Sequence, residues 1–183
     1  MTFLPSVRLF RRDLNLRYEG IVHNQLRIDA KQQVLRTGVT IRHLGYGLSP
    51  EKLAAKAART IELLDKQISQ NPKDAFALFN YAQVLLGLGI SAHPENAKKI
   101  RDAASRAVKL TRPEVRGERH IHLMALYQMA LLNFLIAKYA DAAKFATQAL
   151  SYKHDYLDPM LLLGHINLRT GDLDLAEQFY RRY

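Results

Sequence analysis

The 183-residue sequence predicts a mainly α-helical fold, a right-handed solenoid of stacked helical hairpins, preceded by a short β-containing segment. Three observations predict it. Three windows align on one another: "LFNYAQVLLGLG" with "AASRAVKL", then "LYQMALLNFLIAKYADAAKFATQAL", then "MLLLGHINLRTGDLDLAEQFYRRY". In the last two, Ala130 and Gly164, Ala137 and Gly171, and Ala142 and Ala176 each stand 34 residues apart, the period of one helix–turn–helix repeat. Ahead of them, "RYEGIVHNQL" (Arg17 to Leu26) alternates as a strand does.

The elements follow in order. Within residues 1–48, "VRLF", "LRYEGIVH" and "GVTIRHLGY" read as short strands by alternation and by their Val, Ile and Tyr content, with turn residues at Asp13–Asn15 and Thr37–Gly38. Residues 49–72 read as a capping helix. Ser49 is placed to accept from the first turn, Pro50 suits the first helical position, and Leu53, Ala57, Ile61, Leu64 and Ile68 recur at helical spacing. Residues 73–183 hold three repeats, at about 75–112, 123–154 and 157–183. The first departs from the period, because Ala82 lies 48 residues before Ala130. The surplus divides into about six residues in "ISAHPENAKK" and about eight in "TRPEVRGERH", loop-like stretches carrying Pro94, Pro113 and Gly117.

Composition narrows the function. No cysteine is present, which excludes a disulfide framework, a thiolate metal site and a cysteine nucleophile. No apolar run approaches the roughly 20 residues of a membrane span, and "MTFLPSVRLFRR" lacks the apolar core and cleavage site of a secretion signal, so a cytoplasmic location is expected. The net charge of +10 is unevenly spread. Residues 1–48 and 98–119 each hold eight Lys/Arg against three Asp/Glu, while the other segments balance. Lys98, Lys99, Arg101 and Arg112 form a candidate basic patch for RNA or an anionic membrane face. Lys98, Arg101 and Arg112 do not share one helical face, and no aromatics interleave with them, which disfavours nucleic acid. No Gly-x-Ser-x-Gly turn or glycine-rich phosphate loop occurs.

With its small residue at the helix contact, a turn residue seven later and Ala142 or Ala176 in the second helix, the stretch 73–183 resembles the tetratricopeptide repeat family. The resemblance implies a concave groove lined by the first helix of each repeat. Its positions transfer to Phe79 and Gln83, Tyr127 and Leu131, and His165 and Arg169. Only Arg169 is cationic among them, which argues against a carboxylate clamp and for an apolar protein or peptide segment. Phe79 and Tyr127 have a plainer reading as residues packed between helices. The chain stops inside "AEQFYRRY", where the family's second helix would continue. It is therefore expected to be a piece of a longer protein, and Leu168, Leu173, Phe179 and Tyr183 are expected to leave apolar surface that favours a weak homo-oligomer.

A second resemblance rests on order and wording together. "RLFRRDLNLRYEGIVHNQL", "VTIRHLGY" and "SPEKLAAKAARTIELLDKQISQNPKDAFALFNYAQVLLGLG", spanning roughly residues 7–89, look like the edge of a bacterial family 2 glycosyltransferase domain running into its repeat tail. That resemblance implies a parent that transfers sugar from a nucleotide-sugar with a divalent ion, Mn or Mg. His23 in "GIVHNQL" occupies the place of a late histidine that completes the metal shell, and His43 is a second candidate. The plainer reading of either is a core or edge histidine. "DLDL" at 172–175 matches D-x-D in letters, but its carboxylates read as helix-start groups. The donor-binding half is absent from these residues, so the chain itself is expected to carry no cofactor and to act as a binding scaffold. The alternative is a free-standing adaptor. His120 and His122 in "RHIH" read as solvated.

Overall fold

The helix starts are written locally. Ser49 accepts from the Lys52 amide at 3.5 Å and Pro50 opens α1 (Pro50–Gln70). Asp74 accepts from the Ala77 amide at 2.9 Å at the head of α2 (Ala75–Gly87), and Asp172 accepts from Leu175 at 3.1 Å at the head of α7 (Leu173–Arg182). Each bond satisfies an amide that the helix leaves unpaired. Between them run α3 (Asn96–Leu110), α4 (Arg119–Leu135), α5 (Tyr139–Tyr152) and α6 (Leu157–Thr170). The structure, a computed structural model, describes residues 10–19, 22, 25, 26, 28, 33–35, 37–39 and 49–183.

The helices pair as α2/α3, α4/α5 and α6/α7, each antiparallel partner packed on the next hairpin. Helix α1 contacts α2 as α3 contacts α4 and α5 contacts α6. It therefore sits where the second helix of a preceding hairpin would sit. Its Leu64 is buried in a cluster with Leu78 and Leu85 of α2, Ile100 of α3 and Leu132 of α4. A second cluster joins Ala130, Ala142 and Ala146 to Leu162, Leu163 and Ile166 of α6. The small residues at the helix contacts, Ala82, Ala130, Ala142 and Ala176, are all buried, which lets the helices of a hairpin approach closely.

Seven residues after Ala82, Ala130 and Gly164 the backbone turns left-handed, at Gly89 (φ 83°), Ala137 (φ 59°) and Gly171 (φ 89°). In the second and third hairpins the closure is the same. The Lys138 amide bonds the Asn133 carbonyl at 2.8 Å, and the Asp172 amide bonds the Asn167 carbonyl at 3.0 Å. These are six-to-one bonds that satisfy a terminal carbonyl. The first hairpin differs, since its helices are joined by the longer segment 88–95. The surplus before the second hairpin is only partly loop. Residues 111–118 link α3 to α4, but α4 begins at Arg119, so the last part of "TRPEVRGERH" joins a helix.

Two short strands, β1 (Tyr18–Glu19) and β2 (Gln25–Leu26), pair antiparallel with Tyr18 opposite Leu26 and Glu19 opposite Gln25. Two pairs fall short of a sheet able to bury a face on its own. Arg12–Leu14 form a 3-10 turn that ends at Asn15 (φ 51°), within the expected Asp13–Asn15 turn. Val22 packs against the cluster shared by α1 to α4. Most of "VRLF" and "GVTIRHLGY" lies outside the described residues.

Candidate functional site

The backbones of the first helices of the hairpins approach closely in sequence, α2 to α4 and α4 to α6, whereas those of the second helices α3, α5 and α7 lie further apart. A stack that is closer on one side curves toward that side. The exposed faces of α2, α4 and α6 therefore line the inside of the curve. On α4, Met124, Tyr127, Leu131 and Leu135 follow at helical spacing along one stripe. Met124 and Leu135 are exposed, the latter by 48%, and Tyr127 and Leu131 are half-buried.

The six residues expected in the groove divide. Tyr127 and Leu131 lie in the α4 stripe, and Gln83, His165 and Arg169 are exposed on the neighbouring helices. Phe79 is a correction. It is 6% exposed and belongs to the main core cluster, so it supports the groove from behind. Its carbonyl accepts from Nε2 of Gln128 at 3.1 Å, and the same amide donates to Oε1 of Gln83 at 3.1 Å. Gln128, buried at 1% exposure, thus fastens α4 to α2 beneath the groove. Met124, Leu135 and Gln128 were missed at the sequence level, although Met124 and Leu135 carry the same spacing that marks Tyr127 and Leu131.

Toward α6 the lining becomes aromatic and polar. Tyr127 and Tyr156 pack with ring centroids 6.2 Å apart. Burial, then the Asp158 carboxylate, push both hydroxyls above the ordinary tyrosine range, so both phenols stay neutral donors at physiological pH. Lys153 Nζ stands 5.7 Å from the centre of the Tyr156 ring. His165 Nδ1 lies 2.8 Å from the Tyr180 hydroxyl.

Of the expected basic patch, Arg112 has a local partner. Lys98, Lys99 and Arg101 are exposed on α3. Arg112 lies beyond the helix, where its amide donates to Glu118 Oε2 at 2.8 Å and its guanidinium pairs with Oε1 at 3.4 Å. Arg106 is spent on Asp102 and on the Pro72 carbonyl. His120 is exposed as expected, but His122 is not. The extra turn of α4 carries it inward, and it is 5% exposed. The Thr111 hydroxyl donates to the Ala107 carbonyl at 2.7 Å. It must therefore accept from His122 Nδ1 at 3.0 Å, beside the Thr111 carbonyl at 3.1 Å. Nε2 is left as a buried acceptor with no hydrogen-bond partner among the described residues.

His23 and His43 lie outside the described residues. Among the described residues no cluster of three metal-ligating side chains occurs, and no helix is long and apolar enough to cross a membrane. Asp172 in "DLDL" is committed to capping α7.

No family model matches the sequence, and no curated protein matches it. Among solved structures the chain is similar to MamA, with a TM-score of 0.58 and 16% identity, covering 78% of this chain and 74% of that one. At that identity the likeness is one of fold. The chain has a tetratricopeptide-like helical-repeat fold, an α-solenoid.

Proposed function

We propose that the chain is a protein-binding scaffold whose groove on α2, α4 and α6 receives an apolar segment of a partner protein. The observation that carries this reading is the stripe Met124, Tyr127, Leu131 and Leu135 on the inside of the curve, with Met124 and Leu135 exposed and Tyr127 and Leu131 half-buried between them. An apolar segment gains by covering such a stripe, and Gln83, His165, Arg169 and the neutral tyrosine hydroxyls supply polar contacts at its edges. A peptide-display library selected on the chain tests it. Enriched peptides should be apolar, and Leu131→Glu together with Leu135→Glu should weaken them about tenfold or more without loss of helicity. Peptides that bind the double variant equally would sink the reading.

The wording of residues 7–89 supports a wider setting, in which the array is the tail of a family 2 glycosyltransferase and His23 helps to hold a divalent ion in the parent. In this setting the chain binds and the parent catalyses. A parent sequence without strand–helix alternation ending in D-x-D upstream of Met1 would remove it. In the parent, His23→Ala should raise the Mn²⁺ concentration needed for turnover while leaving the melting temperature unchanged. A basic surface for nucleic acid or membrane is less supported, because Arg112 and Arg106 are engaged locally.

A further inference from the structure

We propose that the groove on α2, α4 and α6 takes an amphipathic α-helix of a partner protein bearing two opposite charges at its margin, a basic residue that meets Asp158 and an acidic residue that meets Arg169. The proposal rests on the groove reading above and adds the shape and charge of the occupant. One 34-residue period on from Met124, Tyr127, Leu131 and Leu135 of α4 stand Asp158, Leu161, His165 and Arg169 of α6. The two ends of the stripe, apolar on α4, are thus a carboxylate and a guanidinium on α6. An acid in the first turn and a base in the last also suit the helix dipole, yet α2 and α4 carry neither, so among the groove helices only α6 is charged at both ends.

Both charges are on display. Asp158 and Arg169 are exposed, and among the described residues neither enters an ion pair. Lys153, the cation beside Tyr156, pairs instead with Asp155 at 3.1 Å. Burial first, and then Asp158, push the Tyr127 hydroxyl up, which puts the carboxylate on the side of α6 that faces the α4 stripe. One turn before Arg169, the His165 ring lies 6.5 Å from that of Phe134 on α4. The openness of these positions belongs to the inner face itself. Met124 and Leu135, in a hairpin with a neighbour on each side, are still 37% and 48% exposed.

Spacing decides the shape of the occupant. Eleven residues separate Asp158 from Arg169, which at the helical rise is about 16 Å. A partner helix reproduces that distance on one face, because eleven residues are about three turns. An extended chain covers it in about five residues, and an odd step turns the second side chain to the opposite face. The occupant is therefore a helix lying along the groove, with apolar residues between its two charges covering Tyr127 and Leu131. Exposed ion pairs are weak, so the charges choose among apolar helices while the stripe holds them.

The probes are three fluorescein-labelled helical peptides of about twenty residues with one shared leucine-rich face. Three turns apart at the margin of that face they carry Glu and Lys, Lys and Lys, or Glu and Glu. Each is titrated with the full chain and followed by anisotropy. The mixed peptide should bind about fivefold or more tighter than either other. Asp158→Asn should erase its advantage over the Glu–Glu peptide and keep that over the Lys–Lys peptide. Arg169→Gln should do the reverse, and circular dichroism should show both variants folded. Absence of saturation, equal affinity of the three peptides for the unaltered chain, or an advantage that survives both substitutions together overturns the proposal. So does equal binding of a proline-broken mixed peptide, which would make the occupant extended, or self-association that Asp158→Asn abolishes, which would make it a second copy. Peptides that bind alike but are weakened by Leu131→Glu with Leu135→Glu defeat the charge proposal and leave the groove reading standing. Indifference to that double variant defeats the groove reading itself.

Discussion

Ala137 and Gly171 occupy the same turn in successive hairpins, yet one carries a side chain and the other does not. Both have positive φ, and both are followed by a six-to-one bond to an asparagine carbonyl. An L-residue in the left-handed region costs about 1–2 kcal/mol. Against this, alanine restricts the unfolded chain more than glycine does, which offsets about 0.4–1 kcal/mol. Ala137→Gly should therefore stabilise the fold by about 0.5–1 kcal/mol. Gly171→Ala should destabilise it by at least as much, because at φ 89° and ψ 4° it is further from the minimum that alanine tolerates. A Cβ at Gly171 meets nothing within 4 Å, so the cost is conformational and not steric. For a chain of this size 1 kcal/mol moves the melting temperature by about 2–4 °C. Far-ultraviolet circular dichroism during thermal unfolding should show the two variants shifting in opposite directions. A lowered or unchanged midpoint for Ala137→Gly would refute the claim that this turn, and not packing around it, sets the cost.

Thr111→Val keeps the shape of a buried residue but removes the donor to Ala107 and one acceptor for His122; a loss of about 1 kcal/mol in urea unfolding with an unchanged slope is expected. Tyr81 is held by burial, and then by the Asp65 carboxylate, at a pKa of about 12 against an ordinary 10.0. Between those values the unfolded chain releases the proton and the folded chain keeps it, so stability falls as pH rises through that window. Spectrophotometric titration should find a tyrosine with a midpoint near 12, and Asp65→Asn should lower it only part of the way, because burial is the larger cause.

How far the sequence reaches is clearest where the forces are short-range. The 34-residue spacing, the Ser49–Pro50 helix start, the capping role of Asp172 and the turns seven residues after Ala82, Ala130 and Gly164 depend on backbone bonds spanning a few residues, and the structure holds all of them. Of the strand pattern expected over residues 1–48, the described residues hold one short antiparallel pair, Tyr18–Glu19 with Gln25–Leu26, and the candidate histidines lie outside them.

Burial was less readable. Helix α2 is apolar nearly all round, so periodicity does not separate Phe79, which faces the core, from Gln83, which faces the groove. His120 and His122, two residues apart, read as solvated alike; on α4 they point to different faces, and His122 packs onto Thr111 and Tyr152 while His120 stays exposed. Arg112 leaves the basic patch because the segment "TRPEVRGERH" brings Glu118 back to its amide. The sequence by itself determined the helix starts at Ser49–Pro50 and Asp172 and the turns at Gly89, Ala137 and Gly171, since caps and turns are settled within one or two turns of chain. The tertiary structure alone decided which side of the stack closes and which stripe of α4 stays open. Those depend on contacts between helices whose partners are set by curvature, and curvature is a property of the whole stack.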